Sequence, residues 1–165
     1  MLRKLVFWAL TALPVFGGTL GFTLNPDIQS GAPGSSVIFS GTLVNLAGTD
    51  LFLTDISYSF TPPADTALTP EVNFFFQNVP GVLLGSESYS DVVFMISIAS
   101  GAAFGVYEGM VSILGGDSDV SMDVLATANF QVNSVPEPGV FRLIAAGLGA
   151  FSAARKLRTR AMTAS

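Results

Sequence analysis

The chain has 165 residues, the size of one ordinary domain, and with 50% hydrophobic and only 12% charged residues it is not intrinsically disordered. It contains no cysteine and no histidine, which excludes disulfide scaffolds, thiolate nucleophiles, histidine general bases and zinc or copper sites built on those ligands. All 7 basic residues lie near the ends, and all 12 acidic ones lie between Asp27 and Glu137. A middle without lysine or arginine cannot neutralise phosphates, so nucleic acid is excluded as a partner.

The front reads as a secretory signal peptide over residues 1–21. Arg3 and Lys4 form a positive start, an apolar run from Leu5 to Phe16 follows, and small residues come next in Gly17-Gly18-Thr19. The run is about a dozen residues, whereas a membrane-spanning helix needs about 20, so an uncleaved anchor is the weaker reading. Cleavage is expected between Gly17 and Gly21, after Val15-Phe16-Gly17 or Thr19-Leu20-Gly21.

Residues 22–134 are patterned with a period of two. Phe22–Ile28 is a first strand broken by Pro26, and Val37, Phe39, Gly41 and Leu43 mark a second. Phe52, Ile56, Tyr58 and Phe60 share one face of a third. Phe74-Phe75-Phe76 is a short strand whose middle ring either faces outward, as a partner patch, or is buried by a second layer. Val92, Phe94, Ile96 and Ile98 line another strand, and Tyr107, Gly109, Val111 and Ile113 the next. In the last, Val120, Met122, Val124, Ala126, Ala128, Phe130 and Val132 alternate with polar neighbours apart from Leu125.

Gly31-Ala32-Pro33-Gly34, Thr61-Pro62-Pro63, Pro80-Gly81 and Gly115-Gly116-Asp117 separate these runs, and no helical stripe with caps stands out. About seven short strands predict an all-β fold, an immunoglobulin-like antiparallel β-sandwich. Tyr107, near the start of the penultimate strand, is placed to hydrogen-bond back to the preceding loop or to serve as an ordinary half-buried aromatic. Pro33-Gly-Ser-Ser-Val37, Phe39-Ser-Gly-Thr-Leu43 and Gly101–Ile113 resemble the Ig-like modules of bacterial secreted proteins. That resemblance implies turns and core only, and carries over no functional residue.

Asp117, Asp119 and Asp123 make a weak calcium candidate, since the segment lacks the EF-hand order and its bidentate Glu. A hairpin turn is the plainer account of the same residues. No cofactor and no catalytic set is expected.

The last segment, 135–165, opens with Val135-Pro136-Glu137-Pro138, continues through the mostly apolar Gly139–Ala154, and ends with Arg155, Lys156, Arg158 and Arg160. The apolar part, about 15 residues long, would make roughly 22 Å of helix at about 1.5 Å per residue. That is a marginal span of a core about 30 Å thick, with Arg142 near its end able to snorkel. The ordered triple of Pro-Glu-Pro, apolar helix and basic cluster resembles the PEP-CTERM sorting signal of Gram-negative bacteria. Arg142 departs from the usual pattern.

The resemblance implies processing by exosortase, a membrane cysteine protease. It further implies Sec export, a transient inner-membrane anchor with the body in the periplasm, and release to the cell surface or medium. By the positive-inside rule the terminal basic cluster stays cytoplasmic. Together these readings describe a non-enzymatic surface or matrix protein linked to exopolysaccharide or biofilm. The alternative is a secreted carbohydrate- or calcium-binding module.

Overall fold

The computed structural model describes residues 19–136; the expected signal helix and transmembrane helix fall outside them. In chain order the elements are β1 (Leu20–Leu24), β2 (Ile28–Gly31), β3 (Ser36–Asn45), β4 (Leu51–Phe60), α1 (Ala64–Ala67), β5 (Leu68–Pro70), α2 (Val72–Asn78), β6 (Val82–Leu83), β7 (Ser88–Ile98), β8 (Gly105–Gly116) and β9 (Asp123–Ser134). One sheet has the order β1-β3-β7-β5 and the other β2-β9-β8-β4-β6. Strand neighbours are antiparallel except β2, which lies parallel to β9. The fold is an all-β sandwich, as expected.

The strand at Phe22–Ile28 is in fact two, and the reason is Pro26. Asn25 N still donates to Ser40 O in the first sheet at 2.9 Å, while Asp27 O accepts from Gln131 N in the second at 2.9 Å. Proline between them has no N–H to continue either ladder, so the chain changes sheets there.

The two sheets meet on aromatic rings. Phe39 and Phe94, from β3 and β7, stack with centroids 4.7 Å apart. Phe130, from β9 across the sandwich, meets them edge-on at 5.2 Å and 5.3 Å. These spacings suit offset and T-shaped pairs. Each such ring, fully buried, contributes about 1.5–3 kcal/mol by area. Gly109 on β8 makes the room, because a Cβ there would lie 2.5 Å from Phe130 Cζ.

Three long strands each carry one extra residue, and the buried face changes at each. Pairing jumps past Thr54 in β4, past Val93 in β7 and past Leu125 in β9. An extra residue shifts the two-residue alternation by one. Leu51 and Leu53 are therefore buried before Thr54 and Ile56 after it, while Phe52 is turned away. Likewise Val93 joins Phe94, Ile96 and Ile98 in the core, and Val92 is only half-buried.

This corrects the reading of the last strand. It begins at Asp123, and Val120, Met122 and Val124 are 80%, 57% and 62% exposed, whereas Leu125 is buried. The Phe74–Phe76 strand is also corrected: those residues lie in helix α2, with Phe75 buried and Phe76 half exposed. The expected faces of Val37, Phe39 and Leu43, and of Tyr107, Val111 and Ile113, are borne out. Among the described residues no helix is long and apolar enough to cross a membrane.

Leu125→Asp should unfold the domain or cost at least about 3 kcal/mol, as an unpaired buried charge does. Val124→Asp, one residue away but exposed, should leave the denaturation midpoint within about 0.5 kcal/mol of the parent. Urea melts followed by circular dichroism separate the two.

Candidate functional site

The sandwich ends at the expected sorting motif. Ser134 is the last residue of β9, and Val135 N donates one more backbone bond, 2.9 Å to Gly31 O on β2. Val135 is 41% exposed and Pro136 follows it half-buried. Glu137, Pro138, Arg155, Lys156, Arg158 and Arg160 lie outside the described residues.

Asp117 and Asp119 lie in the turn between β8 and β9, and Asp123 opens β9. Ser121 Oγ donates to Asp117 Oδ1 at 3.2 Å, and the Ser118 and Ser121 hydroxyls share a bond of 2.8 Å. The turn is thus held by its serines. Among the described residues no group of three acids comes together as metal ligands.

The second sheet has a polar concavity of about 480 Å³, lined in part by Asp27, Ser59, Thr61, Glu108, Asn129 and Gln131. Pairing builds it: Glu108 lies opposite Gln131, Met110 opposite Asn129, and Ser59 opposite Met110. These residues alternate with the inward Tyr107, Val111, Phe130 and Val132, so they share the solvent face. With two carboxylates, two amides and hydroxyls, the groove can exchange hydrogen bonds with a polar, uncharged or cationic ligand. Sequence reading missed it because cross-strand register, which brings Asp27 beside Glu108 and Gln131, is not written in any one segment.

Two tyrosines, Tyr107 buried and Tyr58 partly so, have opposite situations. Tyr107 Oη donates to Ala103 O at 2.8 Å, tying the loop to the start of β8, so its corner role holds. Tyr58 Oη is buried without a partner, and burial, then the nearby Asp55 charge, push its phenol well above the ordinary range. Tyr89, more exposed, donates to Val92 O at 2.8 Å, and its phenol is also raised, by partial burial and then Asp91.

Tyr107→Phe should therefore lose about 1 kcal/mol, the net worth of a hydrogen bond, and more if Ala103 O is left dry. Tyr58→Phe should be neutral or stabilising, since it removes an unmet polar atom. The parent's stability should fall as pH rises above about 10, where an unfolded phenol ionises and the buried one resists. Urea midpoints across pH 8–11 check this: the Tyr58→Phe variant should show a smaller alkaline loss.

No family model matches the chain, and no curated protein does. Among solved structures, it is similar to a chain of the CaDoc0917–CaCohA2 complex, with 16% identity, TM-score 0.44, and coverage of 71% of this chain and 100% of that one. It is also similar to WR4, an MSP family member of C. elegans, with 4% identity, TM-score 0.39, and coverage of 72% and 99%. A type I cohesin–dockerin complex from Clostridium thermocellum gives 7% identity and TM-score 0.34 over 71% of this chain and 99% of that one. At these identities and TM-scores the likeness carries no inference about ligand, partner or activity.

Proposed function

We propose that this chain is an exported, exosortase-processed surface or matrix protein, and that its immunoglobulin-like sandwich is a non-enzymatic interaction module. The observation that carries the reading is where the fold stops. Among the described residues the last backbone bond of the sandwich is made by Val135, one residue before Pro136. The Pro136-Glu137-Pro138 motif therefore begins where the domain's ladder ends, and its prolines forbid a continuing strand. Such a motif, followed in sequence by the apolar run and the basic cluster, suits a protease that binds its substrate extended.

Of the two signal cuts, the earlier one, after Gly17, fits the fold better. Leu20 is fully buried in β1, and Leu46 N donates to Thr19 O at 2.8 Å. A cut after Gly21 would remove a core residue.

In a host with exosortase, the mature protein should lack Ser165 and the basic cluster, with its new C-terminus near residues 136–138. Glu137→Ala should leave full-length chain in the membrane fraction, while Glu108→Ala should be processed as the parent is. Mass spectrometry of the secreted material decides; an intact Ser165 there would leave a simple tail anchor.

A second reading, a carbohydrate-binding module, is favoured by the polar groove. Asn129→Ala and Glu108→Ala should each weaken binding on a glycan array by tenfold or more if that groove is the site, as losing a hydrogen bond worth about 1.5 kcal/mol would. Binding that ignores both substitutions would dismiss the groove.

A further inference from the structure

The sandwich is polarised along its strands. At one end lie Asp50 in the β3–β4 loop, Glu87 before β7, Asp117 and Asp119 in the β8–β9 turn and Asp123 at the start of β9, with Asp55 and Asp91 in nearby rows. Pairing fixes this end. Asn45 closes β3 opposite Leu20, and its side-chain amide donates to Thr49 O and Leu83 O, each at 2.9 Å. Leu83 pairs with Leu51, whose neighbour Phe52 pairs with Gly116.

The opposite end, where Val135 leaves the fold, has fewer carboxylates and exposes apolar side chains, as the acidic end does at Val120, Met122 and Val124. Phe104 is 63% exposed, Val106 58% and Val135 41%. Gly105 pairs with Ser134 and Val106 with Asn133, so Phe104 and Val135 flank the same pair. Ser134 and Tyr107 point inward, which by alternation turns Val106 and Val135 to the outer face. Gly105, at φ 154°, adopts a backbone conformation that is essentially restricted to glycine, and sets Phe104 off the strand. Asp65 on α1 and Glu71, which accepts from Ser97 Oγ at 2.9 Å near the end of β7, are the acids on this side, with Asp27 and Glu108 about 10 Å up the sheet by strand rise.

We propose that this apolar end, Phe104, Val106 and Val135, rests on the lipid surface while the C-terminal tail is still attached. The inference depends on the membrane-anchored reading above and adds an orientation to it. Only five residue steps separate Val135 from Val140 in the apolar run, at most about 18 Å of extended chain. The end carrying Phe104 is therefore held against whatever holds that run.

Charge selects the same orientation. Asp123 pairs ten positions along β8 from Gly105, about 33 Å from the tail end by strand rise. That is roughly three Debye lengths at 0.1 M salt, so the acidic pole hardly senses an anionic surface. Inverted, the domain would press five carboxylates against it. An exposed phenylalanine flanked by valines fits the boundary between headgroups and acyl chains. Seated there, the domain holds Pro136-Glu137-Pro138 at the depth of the membrane surface.

The natural chain has no cysteine, so a single introduced thiol reports position cleanly. The test uses the exported chain with its tail intact, from a host without exosortase, reconstituted into phosphatidylcholine–phosphatidylglycerol vesicles. Ala103→Cys, beside Phe104, and Asp119→Cys, at the acidic pole, each carry an environment-sensitive fluorophore. Brominated lipid should quench the first several-fold more than the second. Adding Phe104→Ser and Val106→Ser to Ala103→Cys should bring its quenching down to the level at 119, with the protein still sedimenting with vesicles. Equal quenching at the two positions, with sedimentation intact, would overturn the docking and leave the anchor standing. Chain that fails to sediment would overturn the anchor, and the docking with it.

Discussion

Everything in this domain hangs on the contact of Phe130 with Phe39 and Phe94. The described residues contain eleven carboxylates and no lysine, arginine or histidine, so no ion pair between side chains can contribute to closing the sandwich. Surface pairs are worth little in any case. Here the remaining electrostatics is mutual repulsion, which opposes compaction. Apolar burial has to outweigh both that repulsion and chain entropy, and it is concentrated where the three rings meet. Gly109 belongs to the same device. With a Cβ at Gly109, the Phe130 ring could not keep its place, since Cζ would lie 2.5 Å from it.

The extra residues at Thr54, Val93 and Leu125 follow from the same demand. A sheet of long strands twists, and two twisted sheets stay in contact over their length only if some strands bend. Each bulge bends its strand and re-aims the side chains beyond it. Leu53 and Leu125 thereby reach the core at the acidic end, where simple alternation would have presented Phe52 and Val124. Val124, Met122 and Val120 are left on the outside as a consequence of that re-aiming. Asn45 closes the same end by a different means, its amide bonding Thr49 O, Leu83 O and Leu84 O while its oxygen accepts from Ala47 N. A fully buried amide with its bonds met holds the β3–β4 loop to the short edge strand β6.

The limits of the sequence reading trace to these features. Strands without an extra residue within them, such as β3 and the first part of β8, were legible from alternation alone, and Tyr107 from its place before Gly109. Strands with a bulge were legible as strands but not as faces, because the pattern of period two is read across a register change that only the partner strand reveals. Helix α2 carries a helical signal of its own, with Val72, Phe75, Phe76 and Val79 at i, i+3, i+4 and i+7. The run of three phenylalanines overrode it by suggesting strand propensity. The resemblance of Pro136-Glu137-Pro138 to a sorting signal needs only neighbouring residues to be read, and stands as a proposal. The polar groove and the separation of charge between the two ends were not legible, since both arise from which strands lie side by side.

The ends at which the chain enters and leaves are also set by topology. β2 runs parallel to β9, and β1 passes into β2 through three residues, so the chain enters the sandwich at the acidic end and leaves at the apolar one. The β8–β9 hairpin fixes the exit: its turn holds Asp117 and Asp119, so β9 ends at the other end of the sheet, where Ser134 pairs with Gly105. The parallel pairing rests on a few bonds at the sheet's edge, from Gln131 N to Asp27 O and from Val135 N to Gly31 O among them. It becomes possible only because Pro26 ends pairing in the first sheet and lets the chain cross to the second. One residue without an N–H thus lets the chain pass from the first sheet to the free edge of β9 in the second. The same crossing gives Val135 its bond to Gly31 O.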